Sequence, residues 1–210
     1  FKSNLALNPL QNFFATLSLK DSDNNSLAKN YYPTIENFLD LNNNSTGKNS
    51  YLRVLQPSNQ AIETEPNVVL VILENYSMYK SSLSGNPLNA TPYLNDLSKQ
   101  GIFFNRCFAT SFGKARSEFG LLTGVPDVQL SKFATRNEIT VKQPSIINDF
   151  TGYEKFYLIG GNSSFNNFRG LVKNIDDINI YEEGSFKSPS INSWGIGDRA
   201  LFTEANEVFK

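Results

Sequence analysis

Residues 66–75 read Pro-Asn-Val-Val-Leu-Val-Ile-Leu-Glu-Asn, with six aliphatic residues in a row between Asn67 and Glu74. Such a run is too short for a helix and shows no alternation of apolar and polar side chains, so it predicts a strand buried on both faces. Strands of this kind occur inside parallel sheets, whose two faces are covered by helices. The run therefore predicts an α/β fold built around residues 66–75.

Glu74 follows the last aliphatic residue of this run. Open α/β sheets bind their ligands at the carboxyl ends of the strands, so Glu74 is a candidate for chemistry. The alternative is a solvated acid that marks the end of the strand, because carboxylates are mostly exposed. Position alone leaves both interpretations open.

Strands and helices are predicted to alternate after residue 75. Thr91, Pro92 and Gly101 supply the N-cap, first-turn and C-terminal signals of one helix. The other predicted strands cover residues 102–108, 155–159 and 178–181, and the other predicted helices cover residues 115–123, 144–150, 165–173 and 198–209. This alternation predicts a largely parallel sheet flanked by helices.

The chain before residue 66 is polar and rich in turn-forming residues. It contains two short helical patterns, at residues 8–17 and 33–41. We therefore predict that residues 1–65 form an N-terminal arm or linker and that residues 66–210 form part of the α/β domain.

The formal net charge is −1, which gives no electrostatic basis for binding nucleic acid or an anionic membrane surface. The single cysteine, Cys107, excludes an internal disulfide and any multi-cysteine metal site in this chain. It lies among Phe103, Phe104 and Phe108, so a buried and inert thiol is expected.

The chain contains no histidine. Within this chain, that excludes a Ser/His/Asp triad, a zinc ion held by histidine and a histidine general base. The remaining carboxylate, hydroxyl, amide and guanidinium groups suit a hard divalent cation such as magnesium, manganese or calcium.

No run of about 18 apolar residues occurs, so no segment of the sequence is predicted to span a bilayer. The chain begins at Phe1 and not at a methionine, which suggests a fragment of a longer protein, with a signal or a membrane anchor before it.

Residues 109–114 combine hydroxyls, a glycine and a lysine just before a predicted helix. Backbone N–H groups at the start of a helix hold anions, so this loop is a candidate anion site. An ordinary strand-to-helix turn explains the same residues equally well.

Five segments together resemble one known family. They are Asn67-Val-Val-Leu-Val-Ile-Leu-Glu74, Thr91-Pro-Tyr-Leu-Asn-Asp-Leu97, Gly113-Lys-Ala-Arg-Ser-Glu-Phe-Gly-Leu-Leu-Thr-Gly124, Gly160-Gly-Asn-Ser-Ser-Phe-Asn-Asn-Phe-Arg169 and Ser193-Trp-Gly-Ile-Gly-Asp-Arg-Ala-Leu-Phe202. In this order they resemble the extracytoplasmic catalytic domain of the lipoteichoic acid synthase and phosphoglycerol transferase branch of the sulfatase and alkaline phosphatase superfamily. The resemblance implies an alkaline phosphatase/sulfatase-like α/β fold, incomplete at its C-terminus.

The resemblance implies that Glu74 is a ligand of a divalent cation, usually manganese or magnesium in this branch. The family's nucleophile is a threonine at the start of the helix after the second strand, and the cation activates its hydroxyl. Alignment on Ser117-Glu118-Phe119 places Lys114 at that position, and Thr110 or Ser111 would serve in a shifted loop. Glu118 and Phe119 are predicted to be structural.

Arg169, together with Asn162 and Asn166, matches the region that binds the substrate phosphate in this family, for which a guanidinium is well suited. The family completes its metal site with an Asp-His pair further along the chain. No histidine occurs here, so we predict that this chain is the N-terminal part of a larger catalytic domain and is inactive alone.

The leading hypothesis is a metal-dependent transferase or hydrolase that acts on phosphoglycerol or related phosphate or sulfate esters outside the cytoplasm. Its substrate would be a lipid-linked or glycan phosphate ester, and a segment missing from this chain would attach it to the cell membrane. The lysine at position 114 favours a second hypothesis, a non-catalytic relative that binds anions or glycans. A third is an unrelated doubly wound binding domain.

Overall fold

In the computed structural model of this chain, the structure describes residues 25–39, 41, 65–128 and 133–210. The chain divides into two compact units, Phe1–Val71 and Ile72–Lys210. The predicted division into an arm of residues 1–65 and a domain of residues 66–210 stays a prediction.

The first unit contains helix α1 (Asn25–Leu39), which carries Pro33 in its interior. The sequence predicts a helix only from residue 33, because the polar residues before it are typical of turns. The helix begins earlier than this local signal indicates. The predicted helix of residues 8–17 lies outside the described residues.

The second unit contains the remaining regular elements. Its helices and strands are α2 (Pro92–Ser98), α3 (Lys114–Thr123), α4 (Glu138–Val141), β1 (Lys155–Leu158), α5 (Phe168–Val172), β2 (Ile178–Tyr181) and α6 (Asp198–Val208). Short 3-10 turns occupy Met78–Lys80, Ser82–Ser84, Ala134–Arg136, Ile146–Asp149 and Phe165–Asn167. No helix in these described ranges has both the length and the apolar character needed to cross a membrane.

Strands β1 and β2 pair in parallel, with Lys155 opposite Ile178 and Leu158 opposite Tyr181. The chain between them contains α5, so β1, α5 and β2 form a βαβ unit. Both strands were predicted from their apolar, β-branched and aromatic residues, and both are confirmed. This unit supplies the parallel pairing that the sequence predicts.

Two predicted strands do not form. Residues 65–73 have no regular secondary structure, and the aliphatic side chains from Val68 to Leu73 are 42% to 67% exposed. Residues 102–108 likewise form no strand, and Ile102, Phe104 and Phe108 are exposed. A strand needs the hydrogen bonds of a neighbour, and no strand within the described part of the chain pairs with either run.

Cys107 lies in the second of these runs and is exposed. The prediction of a buried thiol is therefore wrong. It assumed that the neighbouring phenylalanines would be covered by a sheet, and they are not.

Helix α3 begins at Lys114 after Gly113, whose φ is +80°, and ends at Thr123. Gly124 then adopts the left-handed conformation with φ +72°, and its N–H donates to the Gly120 carbonyl at 2.9 Å. Glycine is the usual residue for this C-terminal position because it has no Cβ. The predicted helix and its terminating glycine are confirmed.

The hydrophobic core lies between α3, α4 and α5. Phe119 and Leu122 from α3 pack with Val141 and Leu171, and Ala134 and Ile147 cover this cluster. The buried face of α3 thus fixes the helix against the rest of the second unit and determines where its first turn lies.

Candidate active site at the start of helix α3

The structure brings Glu74 and Lys114 together, although they are far apart in the sequence. The Nζ atom of Lys114 lies 3.2 Å from Oε2 of Glu74. It also lies over the ring of Phe168, 5.2 Å from the ring centroid. The Lys114 side chain is 25% exposed and that of Glu74 is 50% exposed, so the pair is open to solvent on one side. The predicted metal ligand and the residue at the predicted nucleophile position thus share one site.

Local backbone geometry places both residues. Glu74 begins a turn in which Asn75 has φ +56°, a left-handed conformation that asparagine tolerates better than most residues. Lys114 is the first residue of α3, and Gly113 provides the positive φ at which the chain enters the helix. The site is therefore built from one turn and one helix start.

Thr110 and Ser111 precede this helix, and the structure shows what each side chain lies against. Ser111 Oγ donates to the Asp127 carbonyl at 3.1 Å, and Ser117 Oγ donates to the Ser111 carbonyl at 2.9 Å. The Thr110 side chain lies so close to Gly120 that a Cβ there would come within 2.6 Å of Thr110 Oγ1. In this conformation the Ser111 hydroxyl holds the loop to the segment after α3, and the Thr110 side chain packs against α3 at Gly120.

Glu118 is a buried acid in the same region, with 4% of its surface exposed. The hydroxyl of Tyr157 donates a long hydrogen bond of 3.5 Å to Glu118 Oε2. The pKa of Glu118 is raised from 4.5 to about 7, chiefly by burial and to a smaller extent by the charge of Glu74, whereas Lys114 and the hydrogen bond from Tyr157 oppose the rise. Burial and the adjacent Glu118 also raise the pKa of Tyr157. Sequence reasoning predicted that Glu118 is structural but missed its contact with Tyr157, which comes from a distant strand.

The raised pKa of Glu118 predicts a pH dependence of stability. At pH values between 4.5 and about 7 the folded chain keeps a proton on Glu118 that the unfolded chain has released. Stability is therefore highest below this window, and we expect the free energy of unfolding to fall by roughly 2–3 kcal/mol as the pH rises from about 5 to about 8. Urea unfolding of the wild type and of Glu118→Gln at several pH values measures this change.

Glutamine is neutral at all these pH values, so the free energy of unfolding of Glu118→Gln should not show this fall. Glu138→Gln is the matched control, because Glu138 is an exposed helix residue. Identical pH profiles for the wild type and Glu118→Gln would contradict the expectation.

Arg169 lies in α5 and is held by two partners. Its guanidinium forms an ion pair with Glu182, and its Nε donates to Ser163 Oγ at 3.1 Å. The N–H of Ser163 donates to Glu182 Oε2 at 2.8 Å, and Ser163 is fully buried. Glu182 and Ser163 were missed by sequence reasoning, although an acid directly after a predicted strand is the same signal that singled out Glu74.

Asn162 and Asn166 lie in the loop between β1 and α5. Asn162 Oδ1 accepts from the N–H of Ser164 at 2.8 Å, and Asn166 Oδ1 accepts from Arg136 Nη2 at 2.9 Å. The three predicted substrate residues therefore share one short segment, and each has a partner within the protein. Phe168 joins this segment to the Glu74 site, because its ring contacts the Lys114 ammonium and Arg169 follows it in α5.

The residues around Glu74 do not fit a divalent cation as they are placed. Magnesium and manganese prefer several oxygen ligands, usually including more than one carboxylate. In the described ranges, no three His, Cys, Asp or Glu side chains are grouped so that they could hold a metal ion. An oxygen of Glu74 is also already paired with the Lys114 ammonium.

Comparison with known proteins agrees with the fold. A family model described as Sulfatase matches residues 66–210. The chain therefore belongs to the sulfatase family, whose members are generally metal-dependent. The predicted α/β class, that of an alkaline phosphatase/sulfatase-like domain, is confirmed, and the hypothesis of an unrelated doubly wound domain is wrong.

Among curated proteins, the N-acetylgalactosamine-6-O-sulfatase of Bacteroides thetaiotaomicron is 31% identical to this chain over 71 residues. These residues are 34% of this chain and 14% of that protein, so the match spans a small part of the relative. No solved structure matches the chain significantly. The superfamily is confirmed, whereas the lipoteichoic acid synthase-like branch stays a prediction.

Proposed function

We propose that this protein, as part of a longer chain, is a sulfatase-family enzyme that hydrolyses a sulfate ester or transfers a related phosphate ester. The observation that carries this proposal is the match of the sulfatase family to residues 66–210, and the similarity to a sulfatase supports it. Lys114 lies at the first residue of α3, beside Glu74.

Lys114 provides the positive charge of the proposed substrate site. Its ammonium is partly exposed, and the N–H groups of the first turn of the ten-residue helix α3 lie next to it in sequence. An ammonium and the N–H groups at the start of a helix both favour the oxygens of a sulfate or phosphate group. Arg169 would add a guanidinium to this site only after leaving Glu182.

Lysine has no hydroxyl, so a nucleophile must come from another residue. Thr110 and Ser111 are the hydroxyls of the same loop, and attack by either requires it to leave its contact with Gly120 or Asp127. These contacts favour a second candidate function, a non-catalytic relative that binds an anion or a glycan. The Lys114–Glu74 ion pair favours the same candidate.

The finer features of the proposal come from the resemblance alone. They are transfer of phosphoglycerol, manganese or magnesium as the cation, a lipid-linked or glycan phosphate-ester substrate, a location outside the cytoplasm and attachment to the cell membrane through another segment.

Kinetics with a sulfate ester test the proposal. N-acetylgalactosamine 6-sulfate and a phosphoglycerol-bearing lipid are suitable substrates, given to the full-length gene product. We expect Lys114→Ala to raise KM about tenfold, because it removes one charged contact to the ester. Lys142→Ala is the matched control, because Lys142 forms an exposed ion pair of the same 3.2 Å length with Glu138.

Three outcomes separate the candidates. Turnover of either ester with the expected KM change supports the enzyme. Binding of the ester without turnover supports the anion-binding relative. The absence of both binding and turnover contradicts both candidates.

A further inference from the structure

We infer that the ammonium of Lys114 takes the place of a divalent cation beside Glu74 and keeps such a cation from binding there. The inference concerns the site assigned under the proposed function and rests on that assignment. It goes beyond the proposed function, because the sulfatase family is generally metal-dependent and the inference states that a cation is kept from the position beside Glu74.

The position of the ammonium is the first argument. Lys114 Nζ is 3.2 Å from Oε2 of Glu74, one of the two carboxylate oxygens that a metal ion at this residue would use. A cation bound to that oxygen would lie within a few ångströms of the ammonium. Like charges at such a distance repel strongly unless water separates them.

The fixation of the ammonium is the second argument. Lys114 Nζ lies over the ring of Phe168, 5.2 Å from the ring centroid, which is a cation–π contact. Phe168 is only 1% exposed, so its ring cannot move aside without opening the core. Lys114 also begins α3, whose buried residues hold the helix in place. The lysine is therefore anchored at both ends of its side chain.

The charge balance is the third argument. Glu74 and Lys114 together are neutral, so the carboxylate no longer presents an uncompensated charge to a metal ion. Another acid of the site, Glu118, is buried and accepts a hydrogen bond from the hydroxyl of Tyr157. In the part of the chain that the structure describes, Glu74 belongs to no group of three His, Cys, Asp or Glu side chains, and its carboxylate already has a counter-ion.

Titration with manganese(II) chloride tests the inference, with free manganese measured by electron paramagnetic resonance. The proteins are the wild type, Lys114→Met, Lys114→Arg and the exposed-pair control Lys142→Met. We expect Lys114→Met to bind manganese at least about tenfold more tightly than the wild type, because methionine keeps the length of the side chain and removes its charge. Lys114→Arg keeps the charge and should bind as weakly as the wild type, as should Lys142→Met.

A second substitution locates the gained binding. Adding Glu74→Gln to Lys114→Met should return the affinity to that of the wild type. Equal manganese binding by the wild type and Lys114→Met, including no binding by either, would overturn the inference, provided that circular dichroism shows both folded. Ester turnover is measured separately, so a failure of the proposed function leaves the manganese result intact, and the reverse also holds.

Discussion

Replacing Gly195 with alanine is expected to lower the free energy of unfolding by about 3–5 kcal/mol. Gly195 has φ +105°, and a Cβ on it would overlap the carbonyl oxygen of Gly160 and lie 2.6 Å from its carbonyl carbon. These atoms belong to the backbone, so no side-chain rotation relieves the overlap. The same Gly160 oxygen accepts the N–H of Ile196 at 3.0 Å, and the shift needed to fit a methyl group would break that bond.

Gly184→Ala is the matched control for this substitution. Gly184 also has a positive φ of +89°, but a Cβ there would meet no atom within 4 Å. Gly184→Ala should therefore lower the free energy of unfolding only by the strain of the left-handed conformation, roughly 1–2 kcal/mol. Urea unfolding followed by circular dichroism measures both variants. Equal losses would show that the contact between residues 160 and 195 is looser than the structure has it.

Phe119→Ala is expected to have a similarly large effect, about 3–5 kcal/mol of lost stability. The Phe119 ring is 1% exposed and packs with Leu122, Val141 and Leu171 from three helices. Truncation removes the apolar surface of the ring and leaves a cavity that these neighbours, each fixed in its own helix, fill only in part. Because α3 carries Lys114, the same variant should also weaken the Lys114–Glu74 contact.

Phe108→Ala serves as the control for the core substitution. Phe108 is 84% exposed, so its removal should change stability by no more than about 0.5 kcal/mol. Urea unfolding of both variants under the same conditions provides the comparison. If Phe108→Ala lowered the free energy of unfolding as much as Phe119→Ala, the exposed phenylalanines would have to be covered in solution.

Elements with strong local signals could be predicted from the sequence. Gly124 ends α3 through its own backbone conformation. The short apolar strands β1 and β2 pair in parallel, and the chain between them contains one α-helix. Residues 66–75 carry an equally strong signal but form no strand, because strand formation depends on a partner that local sequence does not describe. The same dependence on a partner explains the wrong prediction for Cys107.

The candidate site could be predicted in its parts but not in its contacts. Glu74 and Lys114 were each identified from the sequence, one by its place after an apolar run and both by family resemblance. Their ion pair depends on how a turn and a helix pack, which residue spacing does not contain. The partner of Arg169 was missed for the same reason, because Glu182 lies beyond the next strand.

The exposed aliphatic run of residues 68–73 has a consequence for how the chain behaves in solution. It is a stretch of six uncharged residues with high β-propensity and no proline, and no strand of the described residues covers it. Segments of this composition stack edge to edge with copies of themselves, as in amyloid fibrils. Self-association therefore competes with folding in the isolated chain, and protein concentration becomes a variable in every measurement of its stability.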